Sequence, residues 1–128
     1  MDNYFSKEEL ACKHCLEAGK SIEEAYVFDD EFLELLNHLR VNCGFALPVS
    51  SGYRCPNHPI EAAKGTTTGA HCSGKAVDIA ISGARAHKLV KVALALGIPR
   101  IGVAQRGNNR FIHLDYDGSL PTPRIWSY

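Results

Sequence analysis

Hydrophobic residues recur at helical spacing between Asp29 and Cys43, where Phe32, Leu35, Leu36, Leu39 and Cys43 fall on one stripe. Acidic residues open this run and Gly44 follows it, so the pattern predicts a helix over 29–43. A second stripe, Leu89, Val92, Ala93 and Leu96, predicts a helix between Ser82 and Leu96, its body over 84–96 and its stop at Gly97. Near the start, Ser6 and Glu9 have capping-box spacing with Phe5 as the hydrophobic staple, which predicts a short helix. The stretch "CKHCLEAGKS" then breaks the pattern and reads as a loop.

Two other segments have a period of two. In "KAVDIAI", Val77, Ile79 and Ile81 share one face of a strand while Ala76, Asp78 and Ala80 share the other. In "FIHLDY", Ile112, Leu114 and Tyr116 lie on one side, and Phe111, His113 and Asp115 on the other. Shorter strands are expected around Leu47–Ser50 and in "RIGVAQ", with "RGNNR" as a turn. Gly- and Pro-punctuated loops are expected in "SGYRCPNHP" and "AAKGTTTGAH", and a Pro-rich tail in "DGSLPTPRIWSY".

A chain of 128 residues is enough for one core and too short for two, so one domain spanning 1–128 is expected. With 14 basic and 14 acidic residues the net charge is zero, which argues against a nucleic-acid or anionic-membrane partner. The first residues are charged where a signal peptide needs an apolar core, and no window approaches a membrane span. These features predict a monomer that is cytoplasmic as synthesised. The five cysteines form an odd set and, without an export signal, are expected to be mostly reduced. "CKHC" has zinc-knuckle or redox spacing, and Cys43 or Cys55 are available as further ligands, but no second CxxC accompanies it.

Asp78 and His113 each stand on the face of a strand opposite its apolar residues. Opposed residues of neighbouring antiparallel strands lie about 4.5 to 5.5 Å apart at Cβ, close enough for both to reach one ion. His71, seven residues before Asp78, sits beyond a Gly-containing turn that lets the chain double back to the same point. Read singly, each histidine is a hydrogen-bonded side chain in a polar pocket; Asp78, inside an alternating strand, needs a cation to offset its burial. Together, His71, Asp78 and His113 form the mixed nitrogen and oxygen set of a catalytic zinc, with one position left to water. One such ion is expected.

Three motifs in order, "SSGYRCPNHP", "HCSGKAVDI" and "FIHLDYD", resemble SGYRxxxHN, HxxGxAxDI and FIHxD of the zinc D-alanyl-D-alanine carboxypeptidase family, whose fold Sonic hedgehog shares. The resemblance extends over roughly 3–126 and is nearest to compact bacterial and bacteriophage members. It implies a zinc peptidase acting on the peptide stems of bacterial peptidoglycan, with His71, Asp78 and His113 as ligands. It also implies that Arg54 engages substrate beside the scissile bond, with Tyr53 next to it as a substrate-binding residue. Many relatives carry an acidic general base three residues before the last zinc histidine, and here that place is Arg110. Asp115 is the remaining carboxylate on the His113 face, and two roles are open to it: orienting the zinc water as the catalytic base, or holding a ligand.

The expected architecture is α+β, an antiparallel sheet with the zinc site on one face and helices 29–43 and 84–96 on the other, as in the hedgehog/DD-peptidase fold. Carboxypeptidase and endopeptidase action both fit, as do phage lysis, a virion component and cell-wall turnover. The competing reading is a hedgehog-like zinc module that binds a wall peptide or a protein without cutting it.

Overall fold

The computed structural model describes residues 3–60 and 69–128; the loop expected at 62–71 falls mostly outside them. Three short helices, α1 (Lys7–Leu10), α2 (Lys13–Glu17) and α3 (Ile22–Ala25), precede the long α4 (Asp30–Cys43). Strand β1 (Val49–Ser51), a 3-10 turn at Ala70–Ser73 and β2 (Ala76–Ile79) come next. Helix α5 (Gly83–Ala95) and strands β3 (Arg100–Ala104), β4 (Phe111–Asp115) and β5 (Arg124–Ser127) complete the order.

The predicted caps form. Ser6 accepts from the Glu9 amide and the Glu9 carboxylate accepts from the Ser6 amide. Asp29 accepts from Phe32 N–H at the start of α4, and Gly44 ends that helix at φ +77°. Asp30 and Glu31 add negative charge to the first turn, where the helix dipole favours it.

The sheet runs β1-β2-β4-β3-β5, with β1/β2, β2/β4 and β4/β3 antiparallel and β5 parallel to β3. Val77, Ile79, Ile101, Ile112 and Leu114 project from one face into a core completed by Phe32, Leu36 and Leu39 of α4 and Ala86, Leu89 and Ala93 of α5. The two long helices therefore cover one face, as their stripes predict, and leave the other for polar residues.

Three expectations change. The "CKHC" stretch is helical in α2, whose buried Cys15 packs with Ala11, Cys12 and Ala25. Five residues are too few to show a helical period, so tertiary packing settles the conformation. α3 was likewise not foreseen. The Pro-rich tail returns to the sheet as β5, pairing in parallel with β3 and making the sheet mixed rather than wholly antiparallel.

Candidate metal centre

The polar face is organised by register. Asp78 on β2 lies directly opposite His113 on β4, His113 opposite Gly102 on β3, and Gly102 opposite Trp126 on β5. The next row places Ala76, Asp115, Arg100 and Arg124 side by side. A Cβ on Gly102 would lie 2.8 Å from the Trp126 ring, so glycine there lets the indole fold over the sheet to within 5.3 Å of the His113 ring.

His71 arrives from the 3-10 turn. Its Nδ1 donates to the Gly52 carbonyl at 2.7 Å, an acceptor only, which turns Nε2 toward the centre. Nε2 lies 3.4 Å from Asp78 Oδ1, and His113 Nδ1 is 2.9 Å from the same oxygen. One ligand atom from each residue lies within 4.8 Å of the other two, and all three side chains are buried. Two nitrogens and a carboxylate oxygen so gathered, with no sulfur among them, fit a zinc ion with an open position.

Electrostatics at the metal-free centre favour ionised groups. Burial pushes the Asp78 pKa up, but hydrogen bonds from His113 and His71 outweigh it and hold the carboxyl well below its usual range. Burial pushes His113 down, yet hydrogen bonds to Asp115 and Asp78 raise it above the ordinary imidazole value. With a carboxylate at each ring nitrogen, the charged form of His113 is favoured over that of an ordinary imidazole.

Arg54 sits on the loop after β1. Its Nη2 donates to Asp78 Oδ2 at 3.2 Å and its Nε to Ser51 Oγ at 3.0 Å. The loop is held by backbone bonds from Tyr53 N–H to Leu10 and from Arg54 N–H to His71. Gly52 allows this, since a Cβ there would stand 2.4 Å from the Leu10 carbonyl oxygen.

Asp115 has no solvent exposure. Its Oδ2 lies 2.7 Å from His113 Nε2, and Arg100 Nε is 2.9 Å from Oδ1. Arg100 also donates to the Pro121 carbonyl and lies 4.9 Å over the Trp126 ring. Asp115 thus meets His113 at the ring nitrogen opposite the one that faces Asp78.

These residues border a cleft of about 370 Å³ walled also by Phe111, Trp126 and Tyr128. Tyr53 is placed elsewhere: it packs against the cysteine-rich cluster beneath α2 and is not among the cleft's lining residues. Arg100 is not assigned to the site from sequence; its signal is the alternation in "RIGVAQ", which fixes a face once the strand pairing is known. From sequence, Trp126 and Tyr128 stand between shaping a substrate groove and aromatic core packing, and here both wall the cleft. Among the described residues no helix is long and apolar enough to cross a membrane.

A family model described as Peptidase M15 matches residues 3–115. No curated protein and no solved structure matches the chain.

Proposed function

The chain belongs to the peptidase M15 family, the zinc D-alanyl-D-alanine carboxypeptidase family, and on that premise we propose that it is a zinc peptidase hydrolysing peptide bonds in the stem peptides or cross-links of bacterial peptidoglycan. The observation that carries this reading is the meeting of His71 Nε2, Asp78 Oδ1 and His113 Nδ1 beside the Arg54 guanidinium at the bottom of an open cleft. These three residues would hold the ion. When bound, zinc supplies Lewis acidity toward a carbonyl oxygen and lowers the pKa of a coordinated water.

The chain's own groups supply orientation. The Gly52 carbonyl fixes the His71 tautomer, so that Nε2 faces the centre. Asp115 accepts from His113 Nε2–H, directs Nδ1 inward and increases its basicity, the usual arrangement behind a metal-bound histidine. Arg54, pinned by Ser51 and Asp78, presents a fixed positive charge where negative charge develops on a carbonyl oxygen. Trp126 and Tyr128 wall one side and restrict water there. Asp115 is thus a positioning residue in this reading, Arg54 a catalytic and substrate-binding one, and the fold is of the hedgehog/DD-peptidase type. The protein acts as a monomer on a wall peptide, without nucleic acid or membrane, and is suited to release during phage lysis.

One observation favours a second reading, a zinc module that binds wall peptide without cleaving it. Among the described lining residues the carboxylates are Asp78 and Asp115, and both are already engaged. Digestion of purified peptidoglycan with the zinc-loaded protein separates the two. New amino groups, with fragment masses that distinguish loss of a terminal residue from opening of a cross-link, are expected from the wild type. None are expected from His71→Ala, Asp78→Ala or His113→Ala, which should also lose the metal. Wall binding without release of amino groups would establish the second reading.

A further inference from the structure

A second group of metal-binding side chains lies outside the cleft. The Sγ atoms of Cys12, Cys15 and Cys55 all lie within 4.8 Å of one another, although 43 positions separate Cys12 from Cys55. Cys12 and Cys15 are buried and Cys55 is half-buried. No disulfide joins any of the five cysteines. The chain has therefore gathered three reduced sulfurs in one place, where two would suffice for a redox pair.

The surroundings suit thiolates. Cys55 N–H donates to Cys12 Sγ at 3.4 Å, and a backbone hydrogen bond from Cys15 reaches the same sulfur. Burial pushes the Cys12 thiol up, but these donors prevail and lower it. Burial raises the neighbouring Cys15, to about 12. A nitrogen donor is at hand as well: His14 Nδ1 lies 3.7 Å from Cys55 Sγ. A Zn–S bond of about 2.3 Å and a Zn–N bond of about 2.0 Å put the donors of a tetrahedral site roughly 3.5 to 3.8 Å apart. The His14–Cys55 separation is close to this value and the three sulfurs need close by no more than about 1 Å, while His14, which lies outside the group gathered within 4.8 Å, must turn its ring toward Cys12 and Cys15.

We propose that Cys12, Cys15 and Cys55, with His14 as fourth donor, form a closed structural zinc site that ties the amino-terminal helices to the loop carrying Arg54. Four protein donors rich in sulfur define a structural rather than a catalytic ion. Its position explains what it does: Cys55 directly follows Arg54, and the same loop holds His71 through Gly52 and contacts Leu10 through Tyr53. The loop has β1 on one side, but after it the chain leaves the sheet, so a metal staple supplies the anchor that strand pairing does not. The protein then carries two ions where sequence alone suggests one.

The test is metal content and cobalt spectroscopy on protein purified with zinc and reductant. The wild type is expected to hold two zinc ions per chain, His71→Ala/His113→Ala one, and Cys12→Ser/Cys15→Ser one. After cobalt exchange, a thiolate-to-cobalt charge-transfer band should appear in the wild type and in His71→Ala/His113→Ala, and be absent from Cys12→Ser/Cys15→Ser. A single ion that disappears with His71 and His113, or a wild type lacking the band, overturns the proposal while leaving the cleft reading intact. Should the serine variant fail to fold, alkylation of the wild type decides: Cys12, Cys15 and Cys55 should be protected with zinc and become reactive on chelation. Equal reactivity under both conditions, or a disulfide among the three, overturns it. His14→Gln should shift the cobalt spectrum and weaken zinc retention; an unchanged spectrum and affinity removes His14 from the ligand set.

Discussion

Replacing Arg100 by Met takes the cation away from a carboxylate with no solvent exposure. Arg100 Nε contacts both Asp115 oxygens, at 2.9 and 3.1 Å. Breaking a buried pair by removing one partner costs roughly 3–5 kcal/mol, because the remaining charge is left uncompensated. Asp115 keeps His113 Nε2 at 2.7 Å and the Asp117 amide at 3.3 Å, which places the cost near the lower limit. Loss of the contact over Trp126 adds roughly 0.5–1 kcal/mol, and Met fills much of the vacated volume. The expected destabilisation is about 3–4 kcal/mol, a fall in Tm on the order of 10–15 °C for a chain of this size. Urea unfolding of zinc-loaded and chelator-treated protein in parallel measures it. Arg100→Met/Asp115→Leu should recover most of the loss, since an apolar pair leaves no buried charge. A single variant within about 1 kcal/mol of wild type would refute the account of Asp115 as a carboxylate held by Arg100.

Gly102→Ala places a methyl group 2.8 Å from the Trp126 ring; the indole must swing out, with a cost of about 1–3 kcal/mol and a raised KM for wall peptide, and unchanged stability and KM would count against the packing described. Gly52→Ala meets the Leu10 backbone at 2.4 Å, where nothing flexible can yield, so zinc retention at the cleft should fall with stability because the Gly52 carbonyl no longer holds His71; metal analysis with a thermal melt checks both. In chelated protein the raised His113 pKa contributes stability that is complete below the unfolded imidazole value of about 6.5 and is lost as pH rises through the folded value. The depressed Asp78 pKa contributes stability present above the unfolded carboxylate value of about 3.9 and lost as pH falls through the folded one. Zinc requires the neutral ring, so its affinity should rise over the window in which chelated protein loses stability; melts and metal titrations across pH give both slopes, and parallel slopes would contradict the assignment.

The caps of α1 and α4, the stripes of the two long helices and the alternation in β2 and β4 could be read from the chain because each depends on neighbours a few residues away. That alternation put Asp78 and His113 on polar faces, and the separation between His71 and Asp78 indicated a turn that could return the imidazole. Local pattern says nothing about which strands become neighbours. The parallel return of β5, which sets Trp126 over Gly102 beside His113, and the pairing of β3 with β4, which sets Arg100 against Asp115, arise from strand register between distant segments. The same holds for Cys55, brought to Cys12 and Cys15 by a loop that period and propensity leave undetermined. Sequence by itself determined which side chains face away from the core; tertiary structure decided which of them meet, because hydrogen-bonded register joins segments that share no local signal.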